Sequence, residues 1–177
     1  MKQMPNILTI LRLLACPILI YLFFFGTYLT ILTVFILACL TDFFDGYLAR
    51  KKNLNTNFGK FLDPIADKVL IITMCIMLII NKDISGLHKL AFYIIIIREI
   101  IITFLRFNLD NKNKNIDVSK LSKYKTFIQM AAIGSILIYH NFELFYFQLP
   151  SIVLVWFSAF ITLFTGIQHL KIYKKLK

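Results

Sequence analysis

The chain has 177 residues, of which 59% are hydrophobic and 16% charged, and its mean hydropathy is +0.75. Soluble domains average about half apolar and about a quarter charged, so the composition predicts an integral membrane protein and leaves no room for a soluble domain. The net charge of +11 would suit nucleic-acid binding. The cations lie in the gaps between apolar runs, however, so we expect no nucleic acid partner.

Six apolar segments follow one another along the chain. They are residues 7–25, 28–48, 61–80, 90–105, 127–139 and 151–170. A spanning helix takes roughly 20 apolar residues, and lipid allows only helices or closed barrels to cross it. The Ile, Leu and Phe runs lack the alternation of barrel strands. The sequence therefore predicts an all-α integral membrane protein, with six transmembrane helices in one bundle and a single domain over residues 1–177.

Two local features modify this outline. Pro17 lies inside the first segment and is predicted to kink or end that helix. Before it, Asn6, Thr9 and Arg12 recur every third residue and so share one helical face. Residues 108–120 are rich in Asn, Lys and Asp, which predicts a mobile loop.

The distribution of Lys and Arg predicts the orientation. The connections after the second and fourth segments and the C-terminal tail are rich in cations, whereas the opposite connections hold only Lys82 and Lys89. Positively charged connections stay in the cytoplasm. We therefore expect a multi-pass protein of the cell (inner) membrane, with both termini and the active site facing the cytoplasm.

Four of the nine acidic residues fall between positions 42 and 67. Asp42 and Asp45 are spaced i, i+3, and Asp63 and Asp67 are spaced i, i+4, so each pair projects from one helical face. Clustered carboxylates repel one another unless they take up a proton or a cation. Oxygen ligands favour Mg²⁺ or Mn²⁺, with Ca²⁺ an alternative. The plain alternative is a set of interfacial acids neutralised by nearby Lys and Arg, although acids entering membrane helices usually serve a function.

The aspartates belong to a longer pattern. It reads Asp42-x-x-Asp45-Gly46-x-x-Ala49-Arg50, eight residues, then Gly59-x-x-x-Asp63-x-x-x-Asp67. This pattern resembles the signature of the CDP-alcohol phosphatidyltransferase family, and the residues around it are most similar to bacterial members that make phosphatidylglycerol phosphate. Further similar stretches are Pro5-Asn6-x-x-Thr9-x-x-Arg12, Arg98-Glu99 with Arg106, and Lys123-x-Lys125-Thr126-x-x-Gln129. Ser122 departs from the family pattern, where Gly is expected.

The resemblance implies a homodimer in the lipid bilayer that transfers the phosphatidyl group of CDP-diacylglycerol to glycerol 3-phosphate and releases CMP. It also implies two Mg²⁺ or Mn²⁺ ions. Asp42, Asp45 and Asp63 would hold one ion. Asp42, Asp63 and Asp67 would hold the second. Asp67 is also the implied general base, which takes the proton of the acceptor hydroxyl.

Other residues suit the CDP-lipid. Arg50 can donate two parallel hydrogen bonds to phosphate oxygens. The small Gly46, one turn from Ala49, would let a nucleotide approach the backbone, although close helix packing is an equal alternative. Asn6, Thr9 and Thr56 are second-rank candidates for the same substrate.

The acceptor also carries a phosphate and needs cations. Arg98 and Arg106 lie in the fourth segment, and a buried Arg is expected to face a cavity rather than lipid. Lys123 and Lys125 would complete an acceptor-phosphate site. The alternatives are a structural pair of Arg98 with Glu99 or a carbonyl, and contacts of the two lysines with anionic headgroups.

Three rival functions remain. An ion-coupled membrane transporter would explain acids within a membrane, but should show a broken-helix repeat, which the sequence lacks. Membrane prenyltransferases also use aspartate-rich motifs, without the frame of Gly46, Arg50 and Gly59. Within the same family, the acceptor could instead be serine, inositol phosphate or phosphatidylglycerol, which would give phosphatidylserine, phosphatidylinositol phosphate or cardiolipin.

Overall fold

A computed structural model of the protein describes the backbone of residues 4–52, 57–81, 83–84, 86–110, 120–143 and 145–176. Side chains are described for residues 9–41, 65–81, 83–84, 86–105, 107, 124–143 and 145–173. These residues form six α-helices and no strand, which confirms the all-α prediction. The helices are α1 (Met4–Phe25), α2 (Tyr28–Lys52), α3 (Asn57–Ile80), α4 (His88–Asp110), α5 (Lys120–Phe142) and α6 (Phe145–Leu176).

Each predicted apolar segment lies within one helix, and one boundary differs from the expectation. Pro17 lies inside α1, so the helix does not end there. The α4 helix continues to Asp110 and α5 begins at Lys120. Helix therefore replaces part of the predicted loop, and residues 111–119 lie outside the described part of the chain.

The turn between α1 and α2 is built by three residues. The Gly26 backbone N–H donates to the Leu22 carbonyl at 2.7 Å, and a Cβ at Gly26 would lie only 2.8 Å from that oxygen. The Thr27 N–H donates to Thr30 Oγ1 at 3.1 Å, and the Thr30 N–H donates to Thr27 Oγ1 at 3.4 Å. These two bonds satisfy N–H groups at the start of α2, as a capping box does. A turn this short makes α1 and α2 antiparallel.

The helices pack around a shared apolar core. The α1 helix packs against both α2 and α3, and α6 packs against α5 and α4. Core side chains with at most 2% exposure come from all six helices; they include Leu19, Phe35, Leu70, Met74, Leu78, Phe92, Leu137 and Ala159. This arrangement puts α1 beside both helices that carry the aspartates.

The outer surface is apolar as well. Large hydrophobic side chains are exposed on every helix, among them Leu14, Leu37, Ile76, Phe104, Phe127 and Phe160. Within the described residues, Phe145–Tyr173 is the one helix long and apolar enough to cross a membrane by itself, with shorter apolar stretches at Thr9–Phe25 and Tyr28–Thr41. Six spans and cytoplasmic termini stay predictions.

Candidate active site

An ion pair between α1 and α3 fixes one of the four aspartates. Arg12 is 1% exposed, and its Nη1 donates to Oδ1 of Asp67, whose side chain is 30% exposed. Thr9, one turn earlier on the predicted polar face of α1, is fully buried. The face that carries Thr9 and Arg12 is therefore turned into the bundle, and a buried guanidinium holds the carboxylate of the implied base.

The remaining aspartates are located only by their backbone. Asp42 and Asp45 lie in the last part of α2, and Asp63 lies one turn before Asp67 in α3. Their side chains lie outside the described residues, as do those of Gly46, Arg50 and Asn6; Thr56 is not described at all. Among the described side chains no three His, Cys, Asp or Glu residues form a metal-binding group. The joint site of four carboxylates stays a prediction.

The chemistry of Asp67 nevertheless fits a metal-binding role. A carboxylate offers two oxygens with about four acceptor positions, so the Arg12 contact on Oδ1 is compatible with a cation on the same group. The 30% exposure of its side chain keeps the carboxylate within reach of ligands. Oxygen donors of this kind select hard divalent cations such as Mg²⁺ and Mn²⁺.

A second polar cluster lies where α4, α5 and α6 meet. Glu99 of α4 is 2% exposed, and its Oε1 accepts hydrogen bonds from Lys125 Nζ, from Arg98 Nη1 at 3.2 Å and from Gln129 Nε2 at 3.3 Å. Arg98 Nη2 also donates to Thr165 Oγ1 at 2.9 Å. Two cations thus share one carboxylate oxygen inside the protein.

The α6 helix makes room for this cluster. Four polar residues of α6 are buried: Ser158, Thr162, Thr165 and His169. They are spaced alternately four and three residues apart, so they lie along one face of the helix. At Gly166 a Cβ would lie 3.1 Å from Arg98 Cγ and 3.3 Å from its Nε. The Arg98 side chain therefore lies directly against the α6 backbone, and Gly166 permits that approach.

The cluster includes two of the four predicted acceptor-site cations. Arg98 and Lys125 both contact Glu99. The contact of Arg98 with Glu99 is the structural alternative that the sequence left open for Arg98. Their role toward an acceptor phosphate stays a prediction, and the side chains of Arg106 and Lys123 lie outside the described residues. The positive charge of Lys68, the residue after Asp67, acts on Lys125.

The other end of α1 borders a separate polar group. Asp83, in the connection between α3 and α4, accepts a hydrogen bond from the Tyr28 hydroxyl, and its backbone carbonyl lies 3.0 Å from His140 Nε2. The His140 ring stacks on Tyr28 with a centroid distance of 5.2 Å. Burial raises the pKa of Asp83, and the Tyr28 hydrogen bond and the His140 charge oppose that rise.

The raised pKa of Asp83 predicts a pH-dependent stability. The folded protein binds the Asp83 proton more tightly than the unfolded chain, so this stabilisation is complete below about pH 4 and is lost as the pH rises through the folded-state pKa. Asp83→Asn keeps an oxygen for Tyr28 and removes the titration. We expect this variant to melt about 2–4 °C above the parent protein at pH 8 and to show a flatter pH profile, measured by thermal unfolding in detergent. If the melting temperatures of the two proteins changed with pH in the same way, the prediction would be wrong.

Residues 2–164 match the family described as CDP-alcohol phosphatidyltransferase. The chain belongs to this family. The matched range contains the complete aspartate pattern, the pair of Arg12 with Asp67, and Glu99 with its partners Arg98, Lys125 and Gln129.

Known proteins are similar to this chain over three quarters of its length or more. A protein of Rickettsia bellii is 41% identical over 98% of this chain and 97% of its own length. A protein of Haemophilus influenzae is 36% identical over 97% and 94%, and one of Wigglesworthia glossinidia brevipalpis is 46% identical over 76% of each chain. All three are named CDP-diacylglycerol–glycerol-3-phosphate 3-phosphatidyltransferase.

Proposed function

We propose that this protein transfers the phosphatidyl group of CDP-diacylglycerol to glycerol 3-phosphate, giving phosphatidylglycerol phosphate and CMP in phospholipid biosynthesis. The observation that carries the proposal is the 41% identity to the Rickettsia bellii relative over 98% of this chain. That relative is named for this reaction, and the aspartate pattern falls inside the family match at residues 2–164.

The described side chains support a site with two parts. Asp67 lies on α3 with a solvent-accessible carboxylate, held by Arg12. Arg98 and Lys125 bring two positive charges to one place on α4 and α5, within electrostatic reach of Lys68. A carboxylate base on α3 and a cationic cluster on α4 and α5 suit an acceptor that has a hydroxyl to deprotonate and a phosphate to bind.

Each part has a defined task in the proposed reaction. The cationic cluster binds the phosphate of glycerol 3-phosphate and so presents its hydroxyl to the CDP-lipid. Asp67 accepts the hydroxyl proton as the oxygen forms a bond to the phosphatidyl phosphorus, because the hydroxyl pKa lies far above neutrality. The bond from that phosphorus to the bridging oxygen breaks, and CMP leaves with the electron pair. Arg50, Gly46, Asn6, Thr9 and Thr56 are the proposed contacts of the CDP-lipid.

Divalent metal belongs to the proposed site. Asp42, Asp45, Asp63 and Asp67 would hold two Mg²⁺ or Mn²⁺ ions, which supply charge neutralisation at the diphosphate. Asp67 would serve both as ligand and as base. Arg12, on the buried side of Asp67, would keep the carboxylate oriented in both tasks.

The proposed setting is the cell membrane. Exposed apolar side chains on all six helices suit contact with lipid tails, and the cation-rich connections suit the cytoplasmic side. On that side both CDP-lipid headgroups and glycerol 3-phosphate are accessible. We also propose the homodimer that the family resemblance implies.

The decisive experiment is an acceptor panel with the purified protein in mixed micelles. CDP-diacylglycerol is supplied with glycerol 3-phosphate, serine, inositol phosphate or phosphatidylglycerol, and both CMP and the lipid product are quantified. We expect phosphatidylglycerol phosphate with glycerol 3-phosphate alone, in the presence of Mg²⁺ or Mn²⁺. Chelation with EDTA is expected to abolish both products, and added metal to restore them.

The other outcomes are equally informative. Product from a different alcohol, with none from glycerol 3-phosphate, would refute the proposed acceptor while leaving phosphatidyl transfer intact. Undiminished CMP release in EDTA would contradict the metal site. No CMP release with any acceptor would remove the enzymatic proposal.

A further inference from the structure

Glu99 occupies the centre of the cationic cluster, although an acid there opposes anion binding. Its carboxylate is 2% exposed and receives Lys125, Arg98 and Gln129 on a single oxygen. An acceptor-phosphate site would be more positive without it. The cluster with Glu99 carries two cations and one carboxylate, a net charge of +1.

A contribution to the stability of the fold does not by itself explain why Glu99 lies between two cations. Buried ion pairs often contribute no more stability than well-packed apolar residues of similar size, because both charges lose their hydration. What a shared carboxylate does provide is fixed geometry. Lys125 has a long flexible stem and three N–H donors, and its contact with Oε1 occupies one of them.

Glu99 is connected to three helices, directly to α4 and α5 and through its partners to α6. The Gln129 amide donates to both Glu99 Oε1 at 3.3 Å and Thr162 Oγ1 at 2.9 Å, which ties it to α5 and α6. Thr103 Oγ1 donates to the Glu99 backbone carbonyl at 2.6 Å within α4. Arg98 approaches over Gly166 and is anchored by Thr165. Glu99 is therefore a rigid reference point for two side chains that would otherwise repel each other.

We infer that Glu99 is a positioning residue for the acceptor phosphate: it holds Lys125 and Arg98 at a fixed separation, so that the two cations bind one phosphate dianion together. The inference rests on the proposed function, because it concerns how the same acceptor is recognised. Glu99 acts through the cations and does not itself contact the phosphate.

The test separates acceptor binding from the rest of the reaction. Glu99→Gln keeps the side-chain shape and removes the charge that holds the two cations. A hydrogen bond to a charged group contributes enough for about a tenfold change in affinity. We expect the KM for glycerol 3-phosphate to rise about tenfold, with kcat and the KM for CDP-diacylglycerol changed less than about threefold. Glu99→Asp, which keeps the charge but shortens its reach, should raise the same KM by a smaller factor.

Two further variants distinguish positioning from general stabilisation. Lys125→Met should raise the KM for glycerol 3-phosphate. Adding Glu99→Gln to it should change that KM less than about twofold, because Lys125 is then absent and Arg98 is still held by Thr165 and against Gly166. Asp83→Asn is the control, because it removes a part-buried carboxylate in the connection between α3 and α4, away from the cluster. It should leave kcat and the KM values for both substrates unchanged.

The outcomes separate this inference from the proposed function. If the parent protein makes no product from glycerol 3-phosphate, the proposed function fails and the inference fails with it. If the parent is active but either Glu99 variant keeps the parental KM for glycerol 3-phosphate, the inference alone is overturned. It is also overturned if both substrates' KM values rise together, or if the Glu99 and Lys125 effects multiply.

Discussion

Asp67→Asn is expected to lower kcat by about 1,000-fold or more while binding of CDP-diacylglycerol largely survives. The proposed general base contributes on the order of 10²–10⁴ in rate, and an amide cannot accept the acceptor proton. The variant also loses an anionic ligand for metal. The lipid substrate is expected to remain bound because its other proposed contacts, which include Asn6, Arg50 and Thr56, are unchanged.

The same substitution carries a stability cost that follows from Arg12. The Arg12 guanidinium is 1% exposed, and Asp67→Asn removes the negative charge beside it. Removing one partner of a buried ion pair costs about 3–5 kcal/mol, and the partial exposure of Asp67 places this variant at the lower end. The Asn oxygen can still accept the Arg12 hydrogen bond, so we expect a folded protein with a lower melting temperature.

Three measurements on the same preparation are needed. Thermal unfolding in detergent establishes the folded fraction at the assay temperature, CDP-diacylglycerol binding establishes substrate affinity, and CMP release gives kcat per folded molecule. Normal turnover per folded molecule would remove Asp67 as the base. Loss of lipid binding together with turnover would instead assign Asp67 mainly to substrate binding.

Most of the helical architecture could be predicted from the sequence because apolar runs of near-membrane length have few alternatives. Pro17 lies inside α1, and packing of α1 against α2 and α3 accompanies a helix that does not end there. The boundary that differs from the prediction is the end of α4. There Asn108 and Asp110 continue the helix, since polar composition alone does not stop a helix.

The partners of the charged residues were much less predictable. Helical spacing indicates which residues share a face, but not which faces meet. Arg12 and Asp67 are 55 positions apart, and Glu99 and Lys125 are 26 apart. The local pair of Arg98 and Glu99 could be considered as an alternative because the two residues are adjacent, whereas the contacts to Lys125 and Gln129 require the packing of α5 on α4.

The sequence of α6 contains small and polar residues that mark its contact with Arg98, but their meaning is clear only once the structure is known. Thr162, Thr165 and Gly166 are small residues in an apolar helix, and small residues commonly permit close helix packing. Their alternation with His169 and Ser158 marks the buried stripe. Nothing in that stripe specifies Arg98 as the side chain it receives, because the sequence gives no register between α4 and α6.

Replacing Arg12 should also lower activity strongly, although less than replacing Asp67 does, and it should have a smaller effect on stability. Arg12→Met removes the buried charge itself and leaves Asp67, whose side chain is 30% exposed and can be solvated. We expect a stability loss of about 1–2 kcal/mol. The carboxylate loses its fixed orientation, and a displacement of about 1 Å at a reacting group can cost about 100-fold in rate. We therefore expect kcat to fall about 100-fold, with little change in the KM for CDP-diacylglycerol.

The double variant Arg12→Met with Asp67→Asn gives the sharpest test of this ion pair. Removing both partners leaves neither a buried cation nor its carboxylate, and such replacements are often close to neutral in stability. The double variant should therefore melt at a higher temperature than Asp67→Asn alone while remaining as inactive, as measured by thermal unfolding and CMP release. Additive stability losses in the double variant would mean that Arg12 is held mainly by other contacts. In that case Arg12 would not be the group that positions Asp67, and the activity loss of Arg12→Met would need a different cause.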